Sequence, residues 1–318
     1  MMLHRAIVAA GRSIVRFRVG TFSSAAAETA RTSENLSEIQ DEFTRQAAGF
    51  EANWTERSNQ STEQLMSKVM DKVQRQSGPI SPQTRALDVA SGTGIFARTL
   101  LPFCRHVTGL DATEAMLEHA RKNTAKFLGS NDDPASALED RASFLVGDAG
   151  NMPFEDGTFD VVATRLAIHH FPHPHEQVQE MARVVRPGGR VVIVDIVSPS
   201  NDTEASKLLN HLETLRDPTH TESKTVEGLQ QLLADAGLDV VDCSSLDPDA
   251  MATLDNEMDL DAWMTATKTP AAHRAEITAA VEAHLAGNGP NTGMYPQRAP
   301  DGKVTFLHKY AVVQGVRH

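Results

Sequence analysis

The chain has 318 residues, 40% of them hydrophobic, enough for one large α/β domain or two small ones with a proper core. Its formal net charge of −12 and the lack of any basic stripe exclude nucleic acid and anionic lipid as electrostatic partners. The only apolar run near the start, Ala6 to Ala10, is far short of the ~20 residues a bilayer span needs, and Cys104 and Cys243 are too few for a disulfide framework or a zinc knuckle. A small-molecule partner and a reducing compartment follow; oligomeric state is not legible.

Residues 1–27 carry Arg5, Arg12, Arg16 and Arg18, no acid, alternating apolar positions and then Thr21-Phe22-Ser23-Ser24 before a run of alanines. Amphipathic, Arg- and Ser-rich and acid-poor, this segment is expected to be a mitochondrial presequence addressing the matrix, with a cytoplasmic location the alternative. Its removal would move the formal charge from −12 to −16. Residues 28–80 read as an N-terminal helical segment, with a cap at Ser33 or Asn35 and apolar positions Ile39, Phe43, Ala47 and Phe50, then Leu65, Val69 and Val73, ending at Ser77-Gly78-Pro79.

From 81 to 318 strands and helices alternate, the pattern of a doubly wound, mostly parallel sheet. Strands are expected near Ala86–Ala90, His106–Asp111, Ala142–Asp148, Phe159–Thr164, Arg190–Val197, Leu238–Val241 and Val304–Val313, with helices near Gly94–Pro102, Thr113–Phe127, Glu176–Val185 and Thr225–Ala236. Helices around 203–225 and 255–286 are expected to form a lid.

The stretch Leu87-Asp88-Val89-Ala90-Ser91-Gly92-Thr93-Gly94 organises the rest. It is an apolar strand, a two-glycine turn and the start of a helix, where backbone can pass close beneath a nucleotide-sized ligand. Gly92-x-Gly94-x-x-Ala97 also fits a dinucleotide fingerprint, so a nicotinamide-dependent oxidoreductase is an alternative. Asp88 opposes a pyrophosphate there and favours a ligand with a cationic amine. Asp111 ends the second strand, 17 residues past Gly94, where an acid can accept from ribose hydroxyls.

The run resembles motif I of the class I S-adenosylmethionine-dependent methyltransferases, in the Leu-Asp-x-Ala-x-Gly-Thr-Gly form of the ubiquinone and menaquinone biosynthesis family, which shares Ala90 in place of the first glycine. Gly109-Leu110-Asp111-Ala112-Thr113-x-x-Met116 resembles the second motif, and Arg186-Pro187-Gly188-Gly189-Arg190 the turn into the fifth strand. The resemblance implies a seven-stranded sheet with an inserted antiparallel terminal strand and S-adenosylmethionine as cofactor. It implies cofactor contacts from Asp88, Ala90, Ser91, Gly92 and Gly94, from Asp111, Ala112 and Met116, from Asp148 and Ala149 on the adenine, from Arg165, and from Phe50 in the segment over the cofactor.

The implied reaction is methyl transfer to a small molecule, a quinone-ring or other aromatic acceptor by analogy; a non-catalytic assembly factor is a third possibility. No Asn/Asp-Pro-Pro-Tyr follows the fourth strand, which disfavours base methylation. Candidate bases are His169, His170 and His220, because imidazole titrates near neutrality. His169, His170, His173 and His175 invite a metal reading, but Pro172 and Pro174 stiffen the loop and no cysteine or acid cluster completes a site, so no metal is expected.

Overall fold

The computed structural model describes residues 40–45, 56–129, 138, 140–200, 202–241 and 253–318. The chain divides into two units, Met1–Asp41 and Glu42–His318; the first, with the segment read as a presequence, lies almost wholly outside the described residues. In the second, five strands run parallel: β1 (Arg85–Val89), β2 (His106–Asp111), β3 (Ala142–Val146), β4 (Phe159–Arg165) and β5 (Val185–Ile196). With β6 (Asp239–Val240), β7 (Thr253–Asp259), β8 (Gln297–Arg298) and β9 (Val304–Val316), the sheet has the order β3-β2-β1-β4-β5-β9-β6, and β9 is antiparallel to β5. The chain winds outward from β1 through β2 to β3, then returns to place β4 on the other side of β1. That reversal opens a crevice at the carboxyl ends of β1 and β4.

Strand side chains alternate between faces, so adjacent residues feed opposite cores. Ala86, Val161, Ala163, Val192, Val194 and Val312 join one cluster with helices α2 (Glu56–Ser77) and α3 (Ile95–Leu100). Leu87, Val89, Val162, Val191, Ile193 and Val313 join the other, with α5 (Pro174–Val184) and α7 (Val226–Asp235). Helix α4 (Glu114–Phe127) joins β2 to β3, and the first helical stretch, at 40–45, we call α1. A third cluster unites α6 (Thr203–Arg216), α8 (Leu260–Ala266) and α9 (Ala271–Leu285) through Leu212, Trp263, Ile277, Val281 and Phe306.

The seven expected strands form the path of the sheet, with β7 and β8 pairing β9 beside it; one expectation is corrected, since 255–286 is not helical throughout. Residues 253–259 form β7, whose register with β9 runs from Thr253↔Ala311 to Asp259↔Thr305. The reason is β9's length: β7 lies on the edge of β9 opposite β5, since Tyr310 and Ala311 pair with both strands, and it supplies partners for backbone groups that β6, paired only at Gly315 and Val316, leaves open. Asp259 then ends the strand by capping α8, accepting from the Ala262 amide at 2.8 Å.

Helix α2 is tied to β9 by buried amides as well as by Leu65, Val69 and Val73. Gln314 Nε2 donates to Gln76 Oε1 at 2.7 Å and to the Val73 carbonyl at 3.1 Å, while Gln76 Nε2 donates to the Val312 carbonyl at 3.0 Å. Replacing Gln314 by Leu leaves the Gln76 and Ser77 side chains without these partners. We expect Gln314→Leu to lower unfolding free energy by about 1–3 kcal/mol in urea titration; an unchanged midpoint would mean that solvent replaces the network.

Candidate active site

Past Val89 the backbone turns left-handed at Ala90 (φ 54°), Gly92 (φ 53°) and Gly94 (φ 78°) before α3 begins. A Cβ built on Gly92 meets nothing within 4 Å, so the loop forms one wall of an open space. The loop is bound to its neighbour strand: Ser91 N donates to the Leu110 carbonyl at 3.0 Å and Gly92 N to Asp111 Oδ2 at 2.8 Å. The other Asp111 oxygen accepts from Thr113 N at 2.9 Å. Burial raises the Asp111 carboxyl's pKa and these amides oppose the rise. Each oxygen keeps a lone pair for a further donor.

Asp88 is buried, 1% exposed, and accepts from Ser91 Oγ at 2.7 Å. Burial pushes its carboxyl up to about 7, against the Ser91 hydroxyl, the Ala97 amide and the Arg165 charge. Gly147 N donates to the Asp111 carbonyl at 2.9 Å, which brings the turn after β3 alongside. There Asp148 Oδ1 accepts from Gly150 N at 2.8 Å, and Asp148 and Ala149 are half-buried. Ala112 is half-buried and Met116 buried in the first turn of α4. Phe50 lies outside the described residues.

At the end of β4, Arg165 is half-buried and its Nε has no hydrogen-bond partner among the described residues. Leu166 (φ 54°) then turns the chain into a 3-10 turn, Ile168–His170. That turn is built on Asp195 of β5, which accepts from Ile168 N at 2.7 Å, from Ile196 N at 2.7 Å and from His169 Nδ1 at 2.5 Å. Burial works to raise the Asp195 carboxyl, but His169's charge and hydrogen bond and the Ile196 amide outweigh it and hold it below the usual range. In the neutral ring, the hydrogen bond to Asp195 places the His169 hydrogen on Nδ1 and leaves the lone pair on Nε2.

The candidate bases come together here. The His169 ring centroid is 4.1 Å from His170 and 5.6 Å from His220, and all three rings are buried. Burial and His169's charge push His170 down to about 3; burial pushes His220 down to about 4. The edge of Phe43 packs on His170 with centroids 5.2 Å apart. The segment expected as a lid is pinned onto this turn: Thr221 N donates to the His169 carbonyl at 2.7 Å, and His170 Nδ1 lies 3.1 Å from the Thr219 carbonyl. His173 and His175 stand apart from the cluster; His173 occupies the N-cap position of α5 without a side-chain cap bond, and His175 pairs with Asp235 at 3.5 Å. Among the described residues, no group of three or more His, Cys, Asp or Glu side chains is placed to hold a metal ion.

Sequence reasoning missed Asp195 and the Glu213–His308 pair, whose Oε1 and Nε2 lie 2.6 Å apart inside the protein. The signal for Asp195 was present, a lone acid in the apolar run Val191-Val192-Ile193-Val194-Asp195-Ile196-Val197. A charge in a strand buried on both faces calls for a specific partner.

Residues 87–193 match the family described as Methyltransferase domain. The chain is 27% identical over 233 residues to the Bacillus subtilis protein named Uncharacterized methyltransferase YcgJ, covering 73% of this chain and 84% of that one. The crystal structure of YcgJ superposes with a TM-score of 0.64 at 25% identity, covering 82% of this chain and 99% of that one. A Demethylmenaquinone methyltransferase of Clavibacter sepedonicus is 34% identical over 36% of this chain, which spans only 42% of that relative's length. With Asp88 in the strand and the matched domain running from β1 into β5, the nicotinamide alternative falls away, and residues 87–193 form a methyltransferase domain of the S-adenosylmethionine-dependent kind.

Proposed function

We propose that this enzyme methylates a small molecule whose acceptor atom gives up a proton, such as a phenolic oxygen or the ring carbon of a quinone-type compound. The observation that carries the reading is the buried His169–Asp195 pair, 2.5 Å apart, at the carboxyl ends of β4 and β5. A methyl acceptor that loses no proton, such as a thioether or a tertiary amine, needs no base, whereas a phenol or an aromatic carbon does. The demethylmenaquinone methyltransferase relative supports the quinone-type acceptor by analogy only.

Two features fit the cofactor: the open space above Gly92, which a side chain would fill, and Arg165 Nε, a buried donor without a partner among the described residues and suited to a carboxylate. In this reading Asp111 accepts from the ribose hydroxyls, and Asp148 with Ala149, Ala112 and Met116 surrounds the adenine. Ala90, Ser91, Gly92 and Gly94 lie beneath the nucleoside and Asp88 attracts the ammonium end. S-adenosylmethionine, when bound, supplies a methyl group already activated by its sulfonium. His169 takes the acceptor's proton at Nε2, and Asp195 stabilises the imidazolium through Nδ1 without taking the proton itself. The ring of His170 packs beside His169, and Phe43 packs on His170 in turn. We also assign residues 1–27 the role of a mitochondrial presequence on their arginine-rich, acid-free composition.

Methyl-labelled S-adenosylmethionine, the purified chain and a low-molecular-weight extract test the reaction class. Label is expected on oxygen or carbon of a small molecule; transfer to protein or RNA alone would defeat the reading. His169→Gln should lower that transfer by roughly 10²-fold or more while affinity for S-adenosylhomocysteine stays within about twofold.

The Asp88 carboxyl must be ionised to attract an ammonium, and in the free protein it titrates at about 7. Below that pH, binding must first expel a proton. S-adenosylhomocysteine affinity should therefore fall by up to tenfold per pH unit on the acid side, and Asp88→Asn should flatten the profile; calorimetry over that range decides. Mass spectrometry of the native protein is expected to find the first 27 residues or so removed, and a chain still starting at Met1 or Met2 would withdraw the targeting proposal.

A further inference from the structure

The mechanism above leaves His220 unused, and its surroundings define its chemistry. His220 is 5% exposed, and its Nε2 lies 2.8 Å from Asn210 Oδ1. The same oxygen accepts from Ser223 N at 2.6 Å, while Asn210 Nδ2 donates to the carbonyls of Ser206 at 3.0 Å and Ser223 at 3.3 Å. The amide orientation is therefore set by backbone groups, and Nε2 of His220 must carry the hydrogen. Burial keeps the ring neutral, pushing it down to about 4. Nδ1 is left as a bare lone pair, buried and without a partner among the described residues. A buried acceptor of this kind calls for a donor that the protein does not supply.

The charges around it narrow what that donor can belong to. Glu213, Asp217, His169 and Arg216 act on His220, and Asp195 lies behind His169. Arg216 is committed elsewhere: its Nε is 3.2 Å from Glu213 Oε2, its Nη2 is 3.8 Å from Asp217, and its guanidinium stacks 5.0 Å from the Trp263 ring. Burial opposes ionisation of Glu213 and Asp217, yet Arg216 and the adjacent histidines, His308 for Glu213 and His170 for Asp217, hold both carboxyls below their usual range. Arg216 is thus held between the two carboxylates, and among the described residues no side chain donates to His220 Nδ1.

We propose that His220 is a specificity-determining residue whose Nδ1 accepts a hydrogen bond from a neutral hydroxyl or an ammonium group of the methyl acceptor, a bond that an anion without a hydrogen to donate cannot make. This rests on the reading that the acceptor lies beside His169, whose ring is 5.6 Å away. The acceptor would then carry a second polar group besides the atom that is methylated. One imidazole takes the proton that leaves, and the other holds a proton that stays.

The test uses the full chain saturated with S-adenosylhomocysteine, isotopically labelled at its imidazole nitrogens, with one ring scaffold bearing three head groups: benzyl alcohol, benzylammonium and benzoate. His220 Nδ1 is assigned through its bonds to the His220 backbone, so the measurement needs no variant. Benzyl alcohol and benzylammonium are expected to move the Nδ1 resonance toward the hydrogen-bonded value, and benzoate to leave it in place. His220→Phe should lose roughly tenfold in benzyl alcohol affinity, the worth of one hydrogen bond between neutral partners, with toluene unaffected. An Nδ1 resonance unmoved by either donor overturns the proposal, and so does benzoate binding as tightly as benzyl alcohol. The base reading fails separately: His169→Gln with undiminished methyl transfer would remove it while the Nδ1 response stands.

Discussion

A carboxylate inside an apolar sheet must be met by donors, and the way Asp195 is met sets out the working end of this protein. Its oxygens gather the amides of Ile168 and Ile196 and the His169 imidazole. Those bonds hold the 3-10 turn after β4 against β5, and the turn aligns His169 with His170. The carbonyl of His169 in turn receives Thr221, which anchors the segment between α6 and α7. Removing one partner of such a pair leaves a buried charge uncompensated, a loss of roughly 3–5 kcal/mol. The same bonds that stabilise the turn thus fix the tautomer of the proposed base.

Asp88 and Asp195 are both acids buried near the strand ends, yet their environments drive them apart. Asp88 has one hydroxyl, one amide and more distant arginine charge, so burial dominates and its carboxyl rises to about 7. Asp195 has amides and an imidazole at close range, and its carboxyl falls despite equal burial. Separation of this kind divides labour between two chemically identical groups. One is poised to gain from an arriving cation, and the other keeps its charge whatever arrives.

The long β9 strand joins the parts that flank this site. Its second half pairs with β5 and anchors α2 through Gln314; its first half pairs with β7 and contributes Phe306 and His308 to the third cluster. The α6–α8–α9 cluster is consequently built on an extension of the same sheet that carries the catalytic end. Glu213 and Arg216 of α6, rather than apolar contacts alone, link that cluster to His308 and Trp263.

The amino-acid sequence by itself determined the parallel core and its first loop. Periodicity separates Ala86 from Leu87 and Val161 from Val162 into opposite layers, Gly92 and Gly94 mark the turn, and Asp88, Asp111 and Asp148 fall at strand ends by simple counting. These are local properties: alternation, glycine torsions and strand length are carried by neighbouring residues. The tertiary structure alone decided that 253–259 is a strand, because its acids conceal any apolar alternation and its partner lies some fifty residues further along the chain. It alone separated His169, His170 and His220 from His173 and His175, since the requirement is a carboxylate on β5 and an amide on α6. An imidazole becomes a base, an acceptor or a surface residue according to which nitrogen is already bonded and how dry its surroundings are. Both depend on groups far apart in the chain and adjacent only in the fold.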